Sequence, residues 1–384
     1  MRLALSEIRR AKLRFGLLTG AVALLVFLIL FMQTLSSQLL REFVGGIENQ
    51  SASVLVYGED ARRSIEGSIV TPGQVQQVAA VEGVGEAAAF GENSFTVETA
   101  SGDLNDATLF GYELGGPGVP TTLSSGRLPQ GPGEGVASAD AGTGFAIGDR
   151  VQVLPGGYEI QVVGLADNAS FNVQPTLFVS YPTYEEAVRA QNPDAQAVLP
   201  TLVAVDPAPG VTPQELATRI TEQVPGVEAL DLDTAVSSLP GVSSIQQSFG
   251  LILALAFFVV VLVTGFFFVI LVTGFFFLIL TVQKTQALTL LRAIGASTGY
   301  LLKNLLAQVV LVTVAGTALA GGLLVVAAAT SSAGFRVTAD PALIVTTGGA
   351  VLLLAIVASI GAIRRVTRLD PAAATSRGAG GGLA

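Results

Sequence analysis

The side chains that most often carry out catalysis or bind metal ions are scarce in this sequence. It contains no Cys and no His, which excludes disulfides, thiolate chemistry, a Ser-His-Asp triad and the commonest zinc ligand. Its lysines are Lys12, Lys284 and Lys303, and none completes the G-x-x-x-x-G-K-S/T loop that binds nucleotide phosphates. We therefore predict that the chain is not an enzyme and holds no metal or cofactor, and that any ATP-driven work uses a separate nucleotide-binding subunit.

Two further groups of residues come near a binding motif without completing it. Gly142, Gly144 and Gly148 miss the G-x-G-x-x-G spacing, and we interpret them as ordinary loop glycines. Asp231 and Asp233 lack the glycine and the distal Glu of a calcium loop. We interpret these two aspartates as solvated acids.

Long uncharged apolar runs dominate the composition. Hydrophobic residues make up 51% of the 384 residues and charged residues only 13%, compared with roughly 25% charged residues in soluble domains. A helix needs about 20 apolar residues to cross a bilayer, and four runs satisfy this requirement. They cover residues 15–35, 249–282, 305–330 and 341–363. We predict four transmembrane helices, because an open chain in lipid satisfies its backbone polar groups only as helix.

The charges beside these runs indicate their orientation. Basic residues flank the amino end of the first run, both sides of the loop between the second and third runs, and the carboxyl end of the fourth. Residues 36–247, in contrast, carry seven Arg, no Lys and 26 acidic residues. By the positive-inside rule we predict a multi-pass protein of the cell membrane with both termini cytoplasmic. The cytoplasmic segments are then 1–14, 283–304 and 364–384, and the extracytoplasmic segments are 36–248 and 331–340.

The amino-terminal residues 1–14 have the pattern of a short amphipathic helix. Such a helix would lie on anionic headgroups as a topology signal or contact a cytoplasmic partner, and the two roles are compatible. The first apolar run is long and is not followed by an A-x-A-like site, which favours a retained span over a cleaved signal peptide.

The segment 36–248 has the mixed patterns of an α+β domain. Two T-P sequences begin helices, since Thr71 with Gln74 and Thr212 with Glu215 each form a capping box. Alternating residues on both sides of a Pro-Gly-Gly turn predict a hairpin over 151–163. Further strands are predicted at 54–57 and 176–179, and a short helix at 182–190.

The second apolar run, of 34 residues, is longer than one membrane crossing requires. We predict a single long helix, because two crossings would need about 40 apolar residues and would place Lys284 outside. The run repeats a Leu-Val-Thr-Gly-Phe-Phe-Phe string after nine residues. The repeat either faces lipid as filler or lines an apolar lateral site. The possible substrate contacts are Met32, Phe257, Phe258, Phe266, Phe267 and Phe268.

The residues after this run resemble the coupling segment of MacB/FtsX-type ABC permeases. The string Leu-Leu-Arg-Ala-Ile-Gly-Ala-Ser at 290–297 is the family hallmark, and the ending Arg-Leu-Asp-Pro-Ala at 368–372 is similar to its closing pattern. The resemblance implies a homodimer that binds two ABC ATP-binding subunits, which hold ATP and Mg²⁺. The predicted contacts with the ATPase are Lys284, Leu291, Arg292, Ala293, Ile294, Gly295, Ala296 and Ser297.

The strings at 164–171 and 174–178 are similar to the DevC/HrtB-like branch of this family, whose members export haem, glycolipid or other hydrophobic compounds. Haem is the first cargo that the resemblance implies. Without His or Cys, its iron could be bound only by Met, Tyr or a carboxylate, and Met32 is better explained as an ordinary apolar gap-filler.

The sequence leaves two functions open. One is ATP-driven export of a hydrophobic compound from the membrane. The alternative is mechanotransmission without transport, in which the external domain activates a hydrolase or an accessory protein. The expected partners are the ATPase, a second copy, membrane lipids and, for the alternative, the accessory protein; no nucleic acid is expected.

Overall fold

A computed structural model describes residues 12–139, 144–195, 197–283, 298–330 and 339–367. These residues form two compact units. The helical unit contains the described residues up to Leu35 and those from Phe249 onward, and the α+β unit contains Ser36–Ser248. Mixed helices and strands between the first and second long apolar helices agree with the predicted fold class.

The helices, in chain order, are α1 (Lys12–Glu48), α2 (Pro72–Ala79), α3 (Tyr181–Gln191), α4 (Pro213–Gln223), α5 (Leu232–Ser238), α6 (Val242–Gln283), α7 (Thr298–Thr330) and α8 (Pro341–Thr367). The strands are β1 (Val54–Gly58), β2 (Val84–Glu98), β3 (Leu104–Tyr112), β4 (Leu123–Gly126), β5 (Glu134–Ser138), β6 (Arg150–Leu154), β7 (Tyr158–Ala166), β8 (Thr176–Ser180), β9 (Leu202–Pro207) and β10 (Val227–Asp231).

The first and last strands of the α+β unit form a lobe that we call the sheet lobe. Its antiparallel strands lie in the order β10-β1-β9-β2, and the connections β1-α2-β2 and β9-α4-β10 repeat one β-α-β pattern. This is the ferredoxin-like arrangement. Successive residues of β1 face opposite sides of the sheet. Val54 and Val56 pack under α2 and α4, whereas Leu55 and Tyr57 pack into the core on the other face.

The central strands form a second lobe, which we call the barrel lobe. Strands β2-β3-β8-β5-β7-β6 follow one another, and β6 pairs with β2, so the ring closes. Strand β4 pairs with the end of β7. The long strand β2 joins the lobes, since its first half pairs with β9 and its second half with β3. Closure removes most of the open edges that would otherwise invite pairing with another chain.

Three apolar cores hold the α+β unit together. One lies between the sheet and helices α2 and α4, and another fills the barrel. The third is shared, because it combines the outer surface of the barrel, the second face of the sheet and the end of α1. Phe110 lies at its centre, with the rings of Phe90, Phe171 and Phe178 each 5.3 Å from it between centroids.

The local predictions for this unit are confirmed. Both capping boxes form, with Thr71 and Thr212 accepting from the backbone N–H groups of Gln74 and Glu215. The hairpin forms between β6 and β7, and α3 covers the helix predicted at 182–190. The interpretation of Asp231 as a solvated acid is wrong. It is only 9% exposed, and its carboxylate accepts from the N–H of Thr234 as the N-cap of α5.

The described chain contains four helices that are long and apolar enough to cross a membrane. Their apolar stretches are Phe15–Glu48, Val242–Val263, Leu306–Thr330 and Pro341–Ala358. The second long run forms one helix, as predicted, and α6 begins before it, at Val242. Helix α1 likewise continues past the predicted span to Glu48. Residues 1–11 of the predicted amphipathic helix lie outside the described residues.

Small residues and one polar pair join the helices of the helical unit. A Cβ atom on Gly316 of α7 would lie 2.8 Å from Val22 of α1, and one on Gly348 of α8 would lie 2.5 Å from Thr317 of α7. Glycine at these positions lets the backbones approach closely. The hydroxyl of Thr347 donates a 2.8 Å hydrogen bond to Gln33 Oε1, which satisfies a polar side chain inside the bundle.

Candidate functional site at the end of the first helix

The predicted ATPase contacts lie in a segment that the structure does not describe. Residues 284–297 are outside the described residues, so the coupling string stays a prediction. This set comprises Lys284, Leu291, Arg292, Ala293, Ile294, Gly295, Ala296 and Ser297.

Of the predicted apolar contacts, the structure describes the side chains of Met32, Phe257 and Phe258. Phe257 of α6 packs against the core of the helical unit, which includes Val26 and Ile29 of α1. Phe258 is 59% exposed, because successive residues of a helix point in different directions, and Met32 is half-buried. The side chains of Phe266, Phe267 and Phe268 are outside the described ones.

A different site emerges inside the α+β unit, where a loop grips the end of α1. We call residues 168–174 the clamp loop. The N–H of Asn172 donates to the carbonyl of Phe43 over 3.0 Å, and that of Val173 donates to the carbonyl of Glu42 over 2.9 Å. In the reverse direction, the N–H of Gly46 donates to the carbonyl of Ser170 over 2.7 Å. The loop therefore bonds to both donors and acceptors of one helical turn.

The helix and the loop fit this closely because α1 carries two adjacent glycines. A Cβ atom on Gly45 would lie 2.5 Å from the carbonyl oxygen of Asn168. A Cβ atom on Gly46 would lie 2.9 Å from the carbonyl oxygen of Ala169 and 2.8 Å from the ring of Phe110. Asn49 adds a side-chain bond of 2.8 Å to the carbonyl of Asn168. Any larger residue at 45 or 46 would push the loop away from the helix.

The clamp loop is held in an unfavourable backbone conformation. Asn168, Asn172 and Val173 have φ angles of 49°, 52° and 61°. Asn tolerates the left-handed region, but a β-branched residue such as Val is strained there. Strain of this kind persists only where the surroundings enforce it, and it concentrates at functional sites.

The loop is anchored at one point in the shared core. The ring of Phe171 packs on Phe110 of β3, so the clamp is fixed to the barrel lobe. The end of α1 also meets the start of α6, because a Cβ atom on Gly241 would lie 3.0 Å from the ring of Phe43. Gly241 has a φ of 97°, which suits glycine. The first and second long helices and the barrel thus meet at one place within the α+β unit.

Two acidic side chains border this site. Glu66 Oε1 accepts a 2.5 Å hydrogen bond from the side-chain amide of Asn172. Glu92 on β2 is 4% exposed, and burial together with the charge of Glu66 raises its pKa to about 8. The hydroxyl of Tyr184 donates to the backbone carbonyl of Glu92 over 3.1 Å. Burial likewise raises the pKa of Tyr184, so it stays a donor.

The conspicuous ion pairs of the α+β unit lie elsewhere and are structural. Arg127 pairs with Glu134 at 2.5 Å, and hydrogen bonds from Arg127 and from the N–H of Gln130 lower the pKa of Glu134 to about 2. Arg63 pairs with Glu228 at 2.6 Å and connects the loop after β1 to β10. Both pairs are on the surface, where such pairs contribute little.

The sequence contains a signal for the clamp in addition to the resemblance of the string at 164–171 to one branch of a family. Asn168 within the string and Asn172 just after it tolerate left-handed backbone, and the Gly45-Gly46 pair is unusual inside a helix. Together these features indicate a close contact, but neither identifies its partner.

Comparisons with known proteins agree with the predicted family. The family described as FtsX-like permease C-terminal matches residues 255–371. A hemin transport system permease protein, HrtB, of Staphylococcus haemolyticus is 21% identical over 322 residues, which cover 83% of this chain and 83% of that protein.

Two solved domains are also similar to this chain. The periplasmic region of MacB from Actinobacillus actinomycetemcomitans is 13% identical with a TM-score of 0.35, over 50% of this chain and 92% of that one. The extracellular domain of the noncanonic ABC-type transporter YknZ from Gram-positive bacteria is 15% identical with a TM-score of 0.31, over 47% of this chain and 100% of that one.

Proposed function

We propose that this MacB/FtsX-like ABC permease is the membrane subunit of an exporter that moves a hydrophobic compound out of the membrane. The observation that carries the proposal is the match to FtsX-like permeases over residues 255–371, which contain the coupling string. The four apolar helices and the α+β unit inserted between the first and second of them support the same conclusion.

The energy would come from a separate ATP-binding subunit, because the sequence has no phosphate-binding loop. We place both termini and residues 283–304 in the cytoplasm, where the basic flanks favour them. Arg292 and Gly295 would contact the ATPase, and two copies of the chain would form the working dimer. ATP binding would then draw the cytoplasmic ends of the helices together.

The cargo would be apolar, with haem as the first candidate and lipids or drug-like compounds as the others. Support for haem comes from the relative described as a hemin transport permease. The sequence limits how the iron could be bound, since only Met, Tyr or carboxylate ligands are present. Met32, Phe257 and Phe258 are the described candidates for contact with such a compound.

The clamp would carry movement of α1 into the α+β unit. The end of α1 is bonded to the loop through three backbone groups, and Gly45 and Gly46 place no side chain between helix and loop. The helix end therefore cannot shift alone. A displacement of α1 would therefore move Phe171 and the barrel behind it. Helix α6 would move with it, because Phe43 packs against Gly241.

The same contact favours a second candidate, mechanotransmission without transport. A rigid connection from a helix end to an external domain is what such a device needs. In that case the moving domain would activate an external hydrolase or accessory protein, and no compound would leave the membrane.

One experiment separates the two functions. The chain is purified with its ATPase, co-purifying lipids and pigments are identified by mass spectrometry, and each is added back to measure ATP hydrolysis. Stimulation by an apolar compound such as haem supports export. Stimulation by an external protein, with no response to any apolar compound, would overturn export in favour of mechanotransmission.

A further inference from the structure

A buried carboxyl group, that of Glu92, lies in the shared core near Phe171 of the clamp loop, and one of its oxygens has no hydrogen-bond partner among the described residues. Glu92 is opposite Phe110 in the register of β2 and β3, and the oxygen in question is Oε2. A neutral carboxyl group is tolerated in such a place, whereas an ionised one is strongly disfavoured. Whether this buried side chain is tolerated in its present position therefore depends on whether its carboxyl group is protonated.

Glu66 connects this carboxyl to the clamp. Burial first, and the negative charge of Glu66 second, raise the pKa of Glu92 to about 8. The same Glu66 accepts the side-chain hydrogen bond of Asn172, whose N–H holds the carbonyl of Phe43. A negative charge on Glu92 would repel the acceptor that keeps Asn172 in place.

Among the described residues, the titratable groups that are seen to interact with Glu92 are Glu66 and Tyr184, and neither carries a positive charge. Tyr184 on α3 donates to the carbonyl of Glu92 and is kept neutral by burial. Glu42 on α1, whose carbonyl accepts from Val173, is itself acidic. Neither supplies a positive charge to an ionised Glu92.

The loop is also ready to relax once it is released. Val173 has a φ of 61° and is 54% exposed, so few contacts other than its backbone hydrogen bond keep it in the left-handed region. Release of Asn172 would let Val173 return to an unstrained conformation. The release of Asn172 and the relief of strain at Val173 both favour detachment of the loop from α1.

We propose that Glu92 is a proton-controlled latch on the clamp loop. With its proton, Glu92 leaves Glu66 and Asn172 in place, and the loop holds the end of α1. When the proton is lost, repulsion from Glu92 releases Asn172 from Glu66, and the loop detaches from the carbonyls of Glu42 and Phe43. The latch goes beyond the proposed function, because it requires neither cargo nor ATP.

Hydrogen exchange of the full chain in lipid nanodiscs tests the latch. Protection of the amides at 170–173, corrected for the intrinsic rate, is measured between pH 6 and pH 9.5. We expect protection to fall about tenfold across this range, as for a local opening that leaves the rest of the domain closed. The amides of β1 and β9 should keep their protection throughout.

Three variants make the test specific. Glu92→Gln cannot ionise, so its clamp amides should stay protected at every pH. Glu66→Gln removes the charge that an ionised Glu92 would repel while keeping an acceptor for Asn172. Its clamp amides should therefore stay protected at every pH, although Glu92 itself should ionise at a lower pH without that charge. Glu86→Gln, on an exposed part of the same strand, should behave like the unmodified chain.

Two results would overturn the proposal. One is constant protection of the clamp amides in the unmodified chain across the whole pH range, a measurement that no variant's folding can confound. The other is the same loss in Glu92→Gln as in the unmodified chain. Either result leaves the export function untouched, because the readout involves no ATPase and no cargo.

Discussion

Asn172 holds Phe43 through a 3.0 Å hydrogen bond from its backbone N–H to the carbonyl oxygen of a residue in the last turns of α1. The donor belongs to a loop between two barrel strands, and the acceptor belongs to a helix with a long apolar segment. The bond thus makes the barrel lobe sensitive to the position of one helix end.

Gly45→Ala should loosen the clamp. The new Cβ would lie 2.5 Å from the carbonyl oxygen of Asn168, and overpacking of this kind costs about 1–3 kcal/mol. Thermal unfolding of the full chain in detergent measures the loss. Gly16→Ala on the same helix has open space at its Cβ and should be neutral or slightly stabilising. Equal melting temperatures for the two variants would contradict the close contact between Gly45 and the clamp loop.

Val173→Asn should stabilise the α+β unit, because Asn tolerates the left-handed backbone that Val resists. The expected gain is about 1 kcal/mol, the lower end of the cost of such strain. Because the chain contains no Trp, the denaturant titration is followed by circular dichroism. Val173→Thr keeps the β-branch and serves as the control, which should leave stability unchanged. A loss of stability in Val173→Asn would show that the valine side chain makes contacts that outweigh its strain.

The stability of the α+β unit should fall as the pH rises from about 4.5 to about 8. Glu92 keeps its proton in this range when folded but loses it when unfolded, because folding raises its pKa to about 8. The unfolded state then binds fewer protons, and the slope is at most about 1.4 kcal/mol per pH unit. Unfolding curves at several pH values give the slope. Glu92→Gln should flatten this part of the profile, and an unchanged slope in that variant would assign the effect to other groups.

Gly348→Val should weaken the contact between α7 and α8. Its Cβ would lie 2.5 Å from a methyl carbon of Thr317, whereas a Cβ on the adjacent Gly349 meets nothing within 4 Å. We expect a loss of about 1–3 kcal/mol for Gly348→Val and a much smaller change for Gly349→Val. Melting of the two variants in the same detergent compares them. The reverse order would contradict the described packing of these helices.

Arg292→Glu should abolish binding of the ATP-binding subunit, and Gly295→Pro should do the same by breaking the helical pattern of the coupling string. Co-purification of the two subunits is the measurement. Lys303→Glu changes charge to the same extent outside the string and should leave binding intact. Normal assembly of both string variants would exclude this segment as the ATPase contact.

The sequence predicted those parts of the fold that depend on neighbouring residues. The capping boxes at Thr71 and Thr212 were recognisable because both partners lie within one helical turn. The hairpin around Pro155 was recognisable for the same reason. The interpretation of Asp231 as a solvated acid fails because Asp231 directly precedes α5, where its carboxylate caps the helix.

The candidate site could not be predicted in the same way. Glu92 is one of many acidic residues in an acidic segment, and its sequence position does not indicate burial. Burial follows from the pairing of β2 with β3 and from the loop after β1, which reach the same place only after the two lobes have folded. The partner of the Gly45-Gly46 pair lies more than a hundred residues away in the chain.

The sequence by itself determined that the chain has four long apolar helices, an inserted acidic α+β unit and a carboxyl-terminal segment, residues 255–371, that is similar to FtsX-like permeases. Those properties follow from composition, periodicity and short motifs, which act locally along the chain. Only the tertiary structure decided that the barrel closes through β6 and β2 and that residues 168–174 clamp α1. Such contacts depend on strand register and close backbone approach between distant segments, and no local pattern encodes them.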